Sequence, residues 1–113
     1  MKVEELDFDK MDGVVIVVVQ HYLSKAVLIV GVMTLEALKK TLETGQVTFW
    51  SRVREELWTK GKLSGNMLFV RSVVADCDAD TLLITADPVG PVCHTGAWNC
   101  FSDKNGLIRE LSL

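Results

Sequence analysis

Two runs of apolar residues dominate the first third of the chain. VVIVVV (Val14–Val19) and AVLIVGVM (Ala26–Met33) are rich in β-branched side chains and are separated by the polar stretch QHYLSK. This pattern predicts two strands joined as a hairpin. Their unbroken apolar character predicts strands buried on both faces, or nearly so. TLEALKKTLETG follows. Thr34 is placed to cap a helix, Glu36 falls in its first turn, and Leu35, Leu38 and Leu42 recur at helical spacing before Gly45 offers the stop. Beyond Gly45 the helical signals fade. QVTFWS, ELWT, LFVRSVVA and TLLITA read as strands between loops rich in glycine, serine and asparagine. The order strand, strand, helix and then several strands predicts an α+β domain, with a curled antiparallel or mixed sheet around one main helix. The closing SDKNGLIRELSL, residues 102–113, reads as a short helix, a tail or a linker.

A length of 113 residues predicts a single domain over 1–113 with one core. Apolar residues make up 49% and charged residues 24%, an ordinary globular composition. The net charge of −3 gives no basic footprint for nucleic acid, so any phosphate contact must come from a local basic patch. Neither apolar run approaches the roughly 20 residues of a membrane-spanning helix, and no membrane partner is expected. MKVEELDFDKMDG at the N-terminus is acidic and has no signal-peptide pattern, so a cytoplasmic location is expected. Three cysteines, an odd number, argue against a disulfide framework in that compartment and for a metal or a reactive thiol. The alternative is three cysteines packed as small hydrophobes.

Cys93 and Cys100 bracket CHTGAWNC, and Cys77 lies sixteen residues before Cys93. Three thiolates would give a zinc ion three protein ligands and leave a fourth position open, the pattern of a catalytic site. His21 and His94 are the only histidines. His94 adjoins Cys93, and a residue next to a ligand often points away from the metal, so a nearby acid/base suits it better than ligation. In ADCDADT (Ala75–Thr81), an extended backbone would place Asp76, Asp78 and Asp80 on one face and Cys77 on the other. Carboxylates at that spacing repel one another unless a cation intervenes, and oxygen donors suit a hard ion such as Mg²⁺. Thiolate suits zinc. A solvated turn is the alternative for the aspartates. Finally, FWSRVREELWTKGKLSGN (Phe49–Asn66) concentrates Arg52, Arg54, Lys60 and Lys62 with two glycines, Ser64 and Asn66. Such groups can hold phosphates, and a basic edge strand with a turn is the alternative.

FWSRVREELWTKGKLSGN, then DCDAD, then CHTGAWNCF, with LDFDKMDG and VVQH near the N-terminus, together resemble the phosphoribosyl-AMP cyclohydrolases of histidine biosynthesis. The resemblance runs from about Leu6 to Phe101, with its motifs in order. It implies an α+β fold in an intertwined homodimer. It implies Mg²⁺ on Asp76, Asp78 and Asp80, and zinc on Cys93 and Cys100 with Cys77 supplied by the partner subunit. His94 would be the acid/base. Trp50, Ser51, Arg52, Arg54, Lys60, Gly61, Ser64, Gly65 and Asn66 would contact the nucleotide substrate and its ribose phosphates. Some members carry a further phosphoribosyl-ATP pyrophosphohydrolase domain, for which twelve residues after Phe101 leave no room. The sequence departs from the family pattern at Lys62 and Leu63 in GKLSGN, at Val53, and at Thr34 after Met33.

The implied reaction is hydrolytic opening of an adenine ring. The extra ribose on ring nitrogen one makes carbon six more electrophilic, and zinc brings the pKa of water toward about 7. Imidazole exchanges protons near neutral pH, which suits His94. Two alternatives are a non-catalytic zinc-stapled dimer and a purine deaminase. The deaminase signature, a glutamate base followed by a close PCxxC pair, is missing.

Overall fold

The computed structural model describes residues 1–113. One turn of 3₁₀ helix at Val3–Glu5 precedes β1 (Val15–His21), β2 (Val27–Met33), α1 (Leu35–Thr44), β3 (Thr48–Ser51), β4 (Glu56–Thr59), β5 (Leu68–Ala75) and β6 (Thr81–Pro88). The two apolar runs pair as the antiparallel hairpin β1–β2, with Val17 opposite Gly31. β6 then runs parallel to β1, Val17 facing Leu82, and β5 closes the far side antiparallel to β6. The resulting sheet is mixed, in the order β2-β1-β6-β5. β3 and β4 form a separate two-stranded antiparallel ladder. The chain is thus α+β with one helix, as expected, but the single curled sheet is replaced by two open ones. Backbone bonds from Val47 to Leu68 and from Val70 to Gly45 (3.0 and 2.8 Å) hold the two sheets together.

Strand alternation decides what faces inward. Val15, Val17 and Val19 are fully buried, whereas Ile16 and Val18 between them are only partly so. The expectation of strands buried on both faces therefore holds for one face of this sheet. On the other, Val30, Val18, Leu83 and Val74 are paired across all four strands as one row. Three of its members stay 48% (Val30), 39% (Leu83) and 55% (Val74) exposed.

The helix forms where the local signals place it. Thr34 Oγ1 accepts the Ala37 N–H at 3.1 Å, and Gly45, at φ 76°, ends the helix by donating its N–H to Thr41. The buried stripe is Ala37, Leu38 and Thr41, while Leu42 is half exposed. Thr41 is inside because its hydroxyl donates to the Ala37 carbonyl (2.9 Å) and accepts the Thr48 N–H (3.0 Å), tying α1 to β3. Gly31 leaves room for the Phe49 ring, which would lie 2.6 Å from a Cβ at that position. No regular element follows Pro88, so residues 102–113 are an irregular, largely exposed tail and form no helix. No helix is long and apolar enough to cross a membrane.

Candidate active site

Three pieces of irregular backbone carry the chemistry-bearing residues: the β5–β6 turn, the loop after β6, and the segments flanking β3 and β4.

The β5–β6 turn corrects the extended reading of ADCDADT. Residues 76–80 do not continue the strand. The Asp76 N–H bonds to the Thr81 carbonyl (2.9 Å), and the Asp76 carboxylate accepts the N–H groups of Asp80 and Thr81 (3.0 and 3.2 Å). Ala79 at φ 59° completes the reversal. This is a turn closed by its own aspartate. Alternation therefore does not separate Cys77 from the aspartates. Its thiol donates to Asp78 Oδ1 at 3.0 Å, and that bond pushes the thiol pKa up.

The cation held between two of these carboxylates belongs to the protein. Lys10 Nζ lies 3.2 Å from Asp78 Oδ2 and 2.9 Å from Asp80 Oδ2. The N-terminal LDFDKMDG is what aims it. Asp7 donates its N–H to the Ala79 carbonyl (2.7 Å) and accepts the N–H groups of Asp9 and Lys10 (3.1 and 3.2 Å). Bonds from the Cys77 thiol and then Lys10 hold the Asp78 carboxyl below its ordinary range, and Lys10 does the same for Asp80. Lys10 is pushed further toward its charged form. The pairing joins residues 68 positions apart, which no local pattern reveals.

On the loop after β6, Cys93 and Cys100 come together. Cys93 donates its N–H to the Ala97 carbonyl (3.0 Å) in a tight turn, and the Cys100 N–H bonds to the Leu28 carbonyl of β2 (2.8 Å). The two thiols are close enough to act on each other. Thr95 donates its hydroxyl to Cys93 Sγ at 3.1 Å, and this contact, with the Thr95 backbone, lowers the Cys93 pKa. Burial and the neighbouring Cys93 raise that of Cys100. The His94 ring nitrogen Nδ1 is 4.0 Å from Cys93 Sγ, on an exposed ring. His21 is elsewhere, its Nδ1 accepting the Leu23 N–H in the β1–β2 connection. Cys77 does not join this pair, and no three His, Cys, Asp or Glu side chains of the single chain converge on one metal position. Two soft sulfur donors side by side nonetheless fit zinc, and two carboxylates already closed on a cation fit a hard ion.

The basic segment divides. Trp50 and Arg52 line a cleft of about 580 Å³ together with Lys10, Met11, Asp12, Val14 and Glu55. They also line an adjoining hollow of about 290 Å³ over Gly31 and Phe49. Arg54 instead reaches Glu56 (3.7 Å), and its N–H bonds to Ser51 Oγ. Lys60 is buried over the Trp58 ring at 5.4 Å and favours the thiolate forms of Cys93 and Cys100 from nearby. Ser64 accepts the Asn66 N–H, and Gly65 donates to the Gly61 carbonyl, so GKLSGN is a self-closed loop. Gly61, at φ 87°, lies so tightly against the Asn66–Met67 peptide that no side chain fits. The Asn66 amide packs on Gly90, three residues before Cys93 in the chain. Lys10 and Thr95 are the contributors that motif reading leaves without a role. The LDFDKMDG and CHT strings are the only signals that point to them.

A family model described as phosphoribosyl-AMP cyclohydrolase matches residues 29–102. A histidine biosynthesis bifunctional protein of Bacteroides thetaiotaomicron is 58% identical over 101 residues, covering 89% of this chain and 50% of the relative. The protein of the same description in Escherichia coli is 57% identical over 99 residues, 88% of this chain and 49% of the relative. That of Photobacterium profundum is 54% identical over 112 residues, 98% of this chain and 54% of the relative. The chain spans about half the length of the curated relatives it matches. With most of β2 and everything from α1 through the thiol loop inside the matched region, the chain belongs to the phosphoribosyl-AMP cyclohydrolase family.

Proposed function

We propose that the chain catalyses the reaction for which its family is named, hydrolytic opening of the adenine ring of phosphoribosyl-AMP in histidine biosynthesis. The observation that carries this reading is the Cys93–Cys100 pair, set on one loop with His94 4.0 Å from Cys93. Such a pair suits zinc, which when bound supplies nucleophilic water near neutral pH. Two thiolates are one short of the three-ligand catalytic pattern, and Cys77 cannot supply the third from the same chain. The Cys77 of a second copy can. Support for a homodimer comes from the outward row Val30, Val18, Leu83 and Val74, since an apolar band across a whole sheet is a natural contact surface. Cys77 lies three residues beyond Val74. Three free thiols support a reducing, cytoplasmic setting.

The roles of the chain's residues follow from their places. Trp50 offers an aromatic face to the purine, and Arg52 a guanidinium for a ribose phosphate. The Thr95 hydroxyl, and more weakly Lys60, lower the Cys93 pKa and so favour its thiolate. His94 accepts the proton of the water that adds to carbon six, and returns it to nitrogen one as the bond between those atoms breaks. Water is thereby added, leaving a carboxamide and a formamidine and releasing no ammonia. Asp78 and Asp80 would hold Mg²⁺, a hard ion that suits oxygen donors, while the Asp76 carboxylate of the expected trio is engaged in closing the turn. The test is incubation with phosphoribosyl-AMP, with product mass and ammonia both measured. Ring-opened product without ammonia supports the proposal. Ammonia release makes the protein a deaminase, and zinc content without turnover makes it a zinc-stapled dimer.

A further inference from the structure

Lys10 takes part in two sites at once. Its ammonium group bridges Asp78 and Asp80 at 3.2 and 2.9 Å, where it stands in for a metal cation. The same residue lines the 580 Å³ cleft with Trp50 and Arg52. Its side chain is about half exposed, so no packing holds it against the aspartates. The charged residues of the cleft make the consequence plain. With Lys10 tied to the aspartates, Arg52 is the one free cation in the cleft and faces Asp12 and Glu55, neither of which has an ion-pair partner. In that state the cleft's two carboxylates outnumber its one free cation. Freeing Lys10 restores the balance and places a second phosphate-binding side chain near Arg52.

We propose that Lys10 is an exchangeable counter-ion: a divalent cation that takes Asp78 and Asp80 releases the Lys10 ammonium into the cleft beside Arg52, where it binds a substrate phosphate. This rests on the reading of the aspartate pair as a Mg²⁺ site. Metal and phosphate then bind cooperatively, and linkage requires each to strengthen the other by the same factor. The N-terminal segment is part of the device, since Asp7 anchors it to the turn at Ala79 and leaves Lys10 to swing between two sites.

The experiment is calorimetric titration of the full-length protein with Mg²⁺ alone, with inorganic phosphate alone, and with each in the presence of the other. Lys10→Met, which removes the competitor, should bind Mg²⁺ about fivefold or more tightly than the wild type, the scale expected for two exposed ion pairs. It should also lose the mutual strengthening of Mg²⁺ and phosphate. Lys10→Arg keeps the charge and should behave as the wild type. Equal or weaker Mg²⁺ binding by Lys10→Met, with Asp80→Asn abolishing that binding, overturns the exchange and leaves the metal site standing. No Mg²⁺ binding by the wild type, or binding indifferent to Asp80→Asn, overturns both.

Discussion

If zinc is held between chains, two inactive variants should repair each other to a fixed extent. The structure brings Cys93 and Cys100 together on the loop after β6 and leaves Cys77 on the β5–β6 turn, bonded to Asp78. In a two-fold dimer each of two equivalent centres then takes two thiolates from one chain and one from the other. Cys77→Ala and Cys100→Ala each remove one ligand from both centres of their own dimers. When equal amounts are unfolded and refolded together, about half of the dimers pair one chain of each kind, as random association of a two-fold dimer requires. In such a dimer the Cys77→Ala chain keeps Cys93 and Cys100, and the Cys100→Ala chain keeps Cys77. One of its two centres is complete and the other lacks two ligands. The mixture should therefore recover about a quarter of wild-type zinc and turnover, by the same counting. The assay is metal content after exhaustive dialysis, with turnover on the same sample. Ligands drawn from a single chain would give no recovery, because neither variant holds all three thiols. Zero recovery from a mixture shown to contain mixed dimers refutes the shared centre.

His94→Ala should keep its zinc and lose turnover by on the order of 10²–10⁴-fold, the usual worth of a positioned acid/base. Loss of the metal instead would make His94 a ligand. In the metal-free protein Cys93 should alkylate before Cys100, as read by peptide mass mapping. Its pKa is lowered, so its thiolate persists as pH falls, whereas the raised pKa of Cys100 extinguishes its reaction first. Thr95→Val should narrow that gap, and an unchanged gap would show that the hydroxyl does not act on Cys93. Thr41→Val should cost about 1–3 kcal/mol in urea unfolding, because the buried Thr48 N–H loses its acceptor. A loss of only a few tenths would mean that the α1–β3 link contributes little.

What was legible in the sequence was local. Thr34 and Gly45 mark the ends of α1 because capping depends on neighbours three or four residues away. The β1–β2 hairpin shows in two adjacent apolar runs. The parallel pairing of β1 with β6 does not, since it joins residues 65 positions apart through a sheet order that no local signal encodes. ADCDADT looks extended when only alternation is considered. The Asp76 carboxylate closes it into a turn, and Asp7, far away in sequence, fixes that turn in place. The basic segment is divided for a related reason. Consecutive loop residues turn to different neighbours, so Arg52 reaches the cleft, Arg54 meets Glu56, and Lys60 goes beneath the surface beside the thiols. Lys10 lies in LDFDKMDG, but its partners Asp78 and Asp80 are brought to it only by the fold.

On the proposed function, hydrolysis of phosphoribosyl-AMP depends on zinc at Cys93 and Cys100. The most direct measurement is turnover by protein stripped with a chelator, followed by stepwise return of zinc. The stripped protein should open no ring, and activity should rise linearly with added zinc to a plateau near one zinc per chain. Undiminished turnover by verified metal-free protein would contradict this dependence.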